Sequence, residues 1–219
     1  MSVLLAALLS GFAACSAGSR WDHTPQQQHI VRSGETLYSI AWRYGKDPDD
    51  LARWNRLGDG SIIHPGQVIS LQGPAATKGS GKSSGGSSLP ALPADPPPPW
   101  MWPVSGSVAV KFGERPGSGS GILLGGRLRD RVRAAAAGRV VYSGGGLIGY
   151  GKLIIVKHND TYLSAYGYNA SLLAKEGDTI NKGQPIATMG EGPGREPRLH
   201  FEIRRNGEPV DPLKYLPAR

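Results

Sequence analysis

Apolar residues recur along this chain with three different rhythms, and each rhythm predicts a different kind of structure. From Val3 to Ala14 they are continuous. That run is shorter than the roughly 20 residues needed to span a bilayer and fits the apolar core of a signal peptide over residues 1–14. Over residues 28–72 the rhythm becomes mixed. His29-Ile30-Val31-Arg32 reads as a short strand that meets a turn at Ser33-Gly34. Leu37, Ile40, Ala41 and Tyr44 then fall at helical spacing, with Ser33 or Thr36 as the cap and Gly45 closing the last turn. Pro48 opens a second helix carrying Leu51, Ala52 and Trp54. Pro65-Gly66-Gln67 turns the chain into a last strand, Val68 to Leu71. The pattern predicts a small α+β unit, strand-helix-helix-strand (βααβ), whose core is small enough to depend on close packing.

Residues 73–99 bury almost nothing. They are dominated by Gly, Ser, Pro and Ala, start at Gly73-Pro74 and end in the run Pro96 to Pro99, the composition of a spacer that is first flexible and then stiffer. From Trp100 to Arg219 the sequence turns to short apolar runs separated by glycines, which predicts a mainly β domain. Gly138 to Gly144, Gly151 to His158, Thr161 to Tyr166 and Leu199 to Arg204 read as strands, with a hairpin turn at Asn159-Asp160. Two of these runs have no simple alternation, as expected of strands buried on both faces. No internal repeat is visible.

Charge and cysteine change this picture in two places. The chain carries 25 Lys+Arg against 17 Asp+Glu. The excess is concentrated after residue 100, where seventeen basic side chains stand against ten acidic ones, while residues 16–72 balance at six and six. A basic surface favours an anionic partner. No helix-turn-helix, zinc-finger or RNA-binding signature accompanies it, so nucleic acid is not the expected one. A single cysteine, Cys15, excludes an intramolecular disulfide and a thiolate metal cluster. Arg127, Arg129, Arg131 and Arg133 alternate, so an extended strand would carry them on one face, either as a charge-protected edge or as a docking patch.

Several of these segments resemble known families. Phe12-Ala13-Ala14-Cys15 resembles the lipobox of bacterial lipoproteins, in which the cysteine is diacylated, and Ser16 after it implies the outer membrane. An ordinary cleaved signal with an incidental cysteine is the alternative. Val31 to Ala41, then Leu51-Ala52-Arg53-Trp54-Asn55 and Ile63-His64-Pro65-Gly66-Gln67, resemble a LysM domain throughout. The resemblance implies binding of peptidoglycan glycan strands between two loops, with Gly34, Glu35, Thr36 and Leu37 on one side and Ile62, Ile63, Pro65 and Gly66 on the other. Amides at a helix start and small or apolar loop residues suit acetamido groups and sugar rings.

The C-terminal part resembles the LytM domain of the lysostaphin-type zinc endopeptidases, a β-sheet domain of the duplicated-hybrid-motif type. The residues that carry this are Gly149 to His158, Lys182 to Gly190, Arg198 to Arg204 and Asp211 to Pro217. Active members of that family hold zinc with three protein ligands and keep one position open for water. Carried over position by position, the resemblance puts the ligands at Gly119, Leu123 and His200, and the proton-handling histidines at Tyr168 and Arg198. Four of the five are lost. Gly and Leu have no ligand atom, Arg remains a cation, and Tyr is a poor base near neutral pH.

The layout of lipobox, LysM, linker and LytM domain is similar to that of the NlpD-like lipoproteins. It implies a chain that is not an enzyme, needs no metal and no cofactor, and faces the periplasm of a Gram-negative cell from the outer membrane. Its expected partners are peptidoglycan, the bilayer through Cys15, and an N-acetylmuramoyl-L-alanine amidase that it activates during daughter-cell separation. The emptied cleft around Gly119, Leu123, Tyr168, Arg198 and His200 is the expected docking surface. A zinc endopeptidase and a passive peptidoglycan tether are the competing functions.

Overall fold

A computed structural model describes residues 27–58, 62–73, 95–114 and 120–219. Cys15 and Gly119 therefore lie outside the described residues. The N-terminal unit is β1 (Gln28–Ile30), α1 (Leu37–Tyr44), α2 (Pro48–Trp54) and β2 (Val68–Ser70). Its two strands pair antiparallel, His29 opposite Ile69.

Thr36 caps α1. Its hydroxyl accepts from the Ser39 amide at 3.1 Å while the Ser39 hydroxyl oxygen accepts from the Thr36 amide at 3.0 Å, a reciprocal capping box. Gly45 ends the helix at φ 59°, a left-handed conformation in which a side chain would be strained. Asp47 caps α2 through the amides of Asp49 and Asp50. Leu37, Ile40, Ala41, Leu51, Ile69 and Leu71 form the core of this unit. Two residues of α1 do not join it: Tyr38 and Trp42, four apart, face the other domain.

That other domain is a ten-stranded antiparallel sheet of β3 (Val108–Val110), β4 (Ile122–Gly125), β5 (Arg131–Arg133), β6 (Gly138–Gly144), β7 (Lys152–Lys157), β8 (Tyr162–Leu172), β9 (Thr179–Ile180), β10 (Pro185–Glu191), β11 (Pro197–Arg205) and β12 (Glu208–Val210). The order is β3-β4-β11-β10-β8-β7-β6-β9, with β11 also pairing β8, β12 pairing β11 and β5 pairing β10. β8 runs beyond the expected Tyr166. It pairs β11 as far as Gly167 and β10 from Asn169 onward, so it changes neighbours at Tyr168.

The missing alternation in β7 has a physical reason. Ile154 and Val156 enter the main core of the sheet, while Leu153 and Ile155 on the opposite face pack with Leu163, Ala165 and Trp42. The second face of the sheet is thus covered by α1. The arginine series departs from expectation. Only Arg131 and Arg133 lie in β5, with Val132 buried between them, and Arg129 sits at φ 67° in a turn closed by Asp130 on the Arg127 amide. Four arginines on one strand face do not form, because that turn breaks the alternation. Among the described residues no helix is long and apolar enough to cross a membrane.

Candidate functional site

Adjacent strands bring four of the expected site residues together. In the register of β11 against β4, His200 stands opposite Leu123 and Arg198 opposite Gly125. In the register of β11 against β8, His200 stands opposite Gly167, next to Tyr168. Tyr168 is held at φ 60°, a strained conformation for a bulky residue, where β8 changes neighbours. Its ring meets the His200 imidazole edge to face at 6.0 Å between centroids. Gly121 is required by the close passage of β4: a Cβ there would lie 2.6 Å from the Phe201 carbonyl oxygen and 2.9 Å from the His200 ring.

Tyr150 stands over the same imidazole. Placed by the Gly149 to Gly151 loop, its ring packs against His200 at 5.2 Å and its hydroxyl donates to Glu202 Oε2 at 3.3 Å. The site is therefore filled rather than vacant. His200 and Leu123 are only 3% and 6% exposed, and Tyr150, Tyr168 and Arg198 form the half-buried surface above them. Arg198 is paired with Glu196 across the start of β11.

Below this surface runs a line of buried charge. His200, Glu202 and Arg204 alternate along β11 and share one face. His200 Nε2 donates to Glu202 Oε2 at 3.1 Å, and Arg204 Nε donates to Glu202 Oε1 at 2.7 Å. Burial alone would raise the Glu202 carboxyl. The His200 hydrogen bond and the Arg204 charge outweigh burial and hold it below the usual carboxylate value. Burial also raises both phenols, with Glu202 adding at Tyr150 and Tyr150 adding at Tyr168, so both stay protonated near neutral pH.

A catalytic zinc site makes demands that Leu123, without a ligand atom, and Arg198, a fixed cation, do not meet. Such a site needs three donors and an open position. Here His200 is the one imidazole, and the Glu202 carboxylate beside it is already held by three donors. Among the described residues no group of three or more His, Cys, Asp or Glu converges. His158 plays a separate, structural part. Nδ1 donates to the Ala137 carbonyl at 2.7 Å, Nε2 meets Ser164 Oγ at 2.7 Å, and burial pushes its pKa down to about 4, which keeps the ring neutral.

The second candidate site lies on the N-terminal unit. Glu35, Thr36, Ile62 and Ile63 line one cleft of about 550 Å³. Gly34, Pro65 and Gly66 are exposed beside it, with Gly34 at φ 78° and Gly66 at φ 88°. Leu37 is 2% exposed, and its side chain belongs to the core of the unit. Its place as the first inward position of α1 dictates this. Glu35 works as a clasp. It accepts from the Arg32 amide at 2.9 Å and from His29 Nε2 at 2.6 Å, and it pairs with Arg43 at 2.6 Å. Burial opposes this charge, but those donors hold the Glu35 carboxyl below its usual value.

Comparison with known proteins covers both units. The sequence profile of the LysM domain matches residues 29–72, and that of Peptidase family M23 matches residues 117–212. The chain is 40% identical to a "Lipoprotein NlpD/LppB homolog" of Pseudomonas aeruginosa, over 93% of this chain and 81% of that one. It is 34% identical to the "Murein hydrolase activator NlpD" of Escherichia coli, over 87% of this chain and 68% of that one. Among solved structures, the antimicrobial peptidase lysostaphin from Staphylococcus simulans is 25% identical over 50% of this chain and 48% of that one, with a TM-score of 0.47.

Proposed function

The chain belongs to the NlpD-like family of lipoproteins that join a LysM domain to a Peptidase family M23 domain, and from that premise we propose that it is a non-catalytic activator of a cell-wall amidase. In this reading the LysM domain holds the chain on peptidoglycan, and Cys15 anchors it by acylation to the periplasmic face of the outer membrane of a Gram-negative cell. The M23 domain then presents its modified site to a periplasmic N-acetylmuramoyl-L-alanine amidase during daughter-cell separation.

One observation carries the non-catalytic part of this reading. The side chains assembled around His200 are Leu123, Tyr150, Tyr168 and Arg198, a set without the donors that zinc requires. The same set suits a protein partner: two tyrosine rings and an arginine are the residue types that anchor interfaces. Activation then requires only that this surface bind the amidase's active conformation better than its closed one.

Dye release from labelled sacculi tests the proposal. The full chain should raise the release by a periplasmic amidase severalfold over the amidase alone. A passive tether would leave the rate unchanged.

A further inference from the structure

The cleft that holds the LysM loops has a second wall, and that wall belongs to the M23 domain. Thr36, Ile62 and Ile63 face Arg139, Lys157 and Glu176 across the space of about 550 Å³. The Thr36 hydroxyl donates to the Val141 carbonyl of β6 at 3.1 Å and joins the two walls. The volume falls within the range of small-ligand sites, roughly 300–1,000 Å³. Ile62 is 74% exposed at its mouth, an apolar surface of the kind on which a sugar ring can lie.

The charges in the cleft are unevenly committed. Glu35 is paired with Arg43 and accepts from His29, and Lys157 is paired with Asp160 at 2.7 Å. Arg139, directly opposite Lys157 in the register of β6 and β7, and Glu176 have no ion pair among the described residues and stand as charges of opposite sign on the M23 wall. A ligand that combines a neutral acetamido sugar with a side branch bearing carboxylates and an ammonium group matches this arrangement. Peptidoglycan has that chemistry in its glycan strand and stem peptide.

We propose that peptidoglycan is bound between the two domains, with the glycan on the LysM loops and the stem peptide along Arg139 and Glu176, Arg139 taking a carboxylate. This rests on the reading of the LysM domain as a peptidoglycan binder and adds a second domain to that site. It also distinguishes peptidoglycan from an uncharged polymer of N-acetylglucosamine, which would use the LysM wall alone.

The test uses the full chain with two probes, purified sacculi and insoluble chitin. Arg139→Glu should weaken binding to sacculi by about tenfold, the equivalent of one lost charge contact, and leave chitin binding unchanged. Arg195→Glu makes the same charge change in the exposed turn before β11, at the other end of the strand from the LysM contact, and should alter neither. Undiminished sacculus binding by folded Arg139→Glu overturns the shared cleft, and so does an equal loss in both variants, which would mean general charge attraction. If the unmodified chain binds neither probe, the LysM reading itself is wrong and the proposal goes with it.

Discussion

The guanidinium of Arg204 lies 3.7 Å from the centre of the Trp42 ring and donates to the Trp42 carbonyl at 3.0 Å. One residue belongs to the last long strand of the M23 sheet and the other to the LysM helix. Their contact is buried, at 4% and 3% exposure. Because Arg204 also holds Glu202, and Glu202 holds His200, a continuous line of polar contacts runs from the modified site to the LysM domain. The two domains are docked through the same charges that organise the site. Removing one partner of a buried pair costs about 3–5 kcal/mol, because the other charge is left uncompensated.

Trp42→Ala should release the LysM domain from the sheet. Truncating a buried tryptophan costs about 3–5 kcal/mol, and here the loss falls on the seam between Leu153, Ile155, Leu163 and the helix. The expected result is two separate thermal transitions in place of one, with easier proteolysis between the domains. A single unshifted transition would mean that the seam contributes nothing.

Acid should destabilise the chain in two steps. The unfolded His158 imidazole takes up a proton near pH 6.5, but the folded one does so only near pH 4, so stability falls as pH drops through that window. At up to about 1.4 kcal/mol per pH unit, the loss reaches about 3 kcal/mol. Glu202 acts below that. Its folded pKa is depressed, so its contribution is present above the ordinary carboxylate range and is lost as pH falls past the folded value. Denaturant melts from pH 7 to pH 4.5 should slope for the natural chain and be nearly flat for His158→Gln.

The site residues divide into those that can be changed and those that cannot. Leu123 is buried opposite His200, so Leu123→Asp puts an unpaired charge into the core and should lower the melting temperature sharply. Arg198 is half-buried at the surface, with its ion pair to the exposed Glu196 and a hydrogen bond to the Pro197 carbonyl. Arg198→Glu should keep the fold and sacculus binding but remove amidase stimulation. Full stimulation by a folded Arg198→Glu chain would move the docking surface elsewhere, with Arg131 and Arg133 of β5 the next candidates.

The sequence made much of this architecture legible, for identifiable reasons. The inward face of α1, its Thr36 cap and its Gly45 stop follow from local chemistry that tertiary structure did not override. Strand register then brought Leu123, Tyr168, Arg198 and His200 together, as their alignment with a known site implied. The docking role of Tyr38 and Trp42 is not legible in the sequence, because a second apolar stripe on a helix does not say which surface it covers. The reach of Tyr150 over His200 is not legible in the sequence, because it depends on a glycine-flanked loop whose path no periodicity records. The alternating arginines do not make a strand face, because a turn at Arg129 interrupts the alternation.

The identity of the bond that is broken separates an activator from a hydrolase. Sacculi should be incubated with the full chain alone, with zinc added, with a periplasmic amidase alone, and with both proteins, and the soluble products identified by mass spectrometry. For a non-catalytic activator, only the amidase reactions should cut, at the amide between the muramoyl lactyl group and L-alanine, and the chain should increase this product severalfold without adding another. Cleavage of peptide cross-links by the chain alone in the presence of zinc would contradict that role.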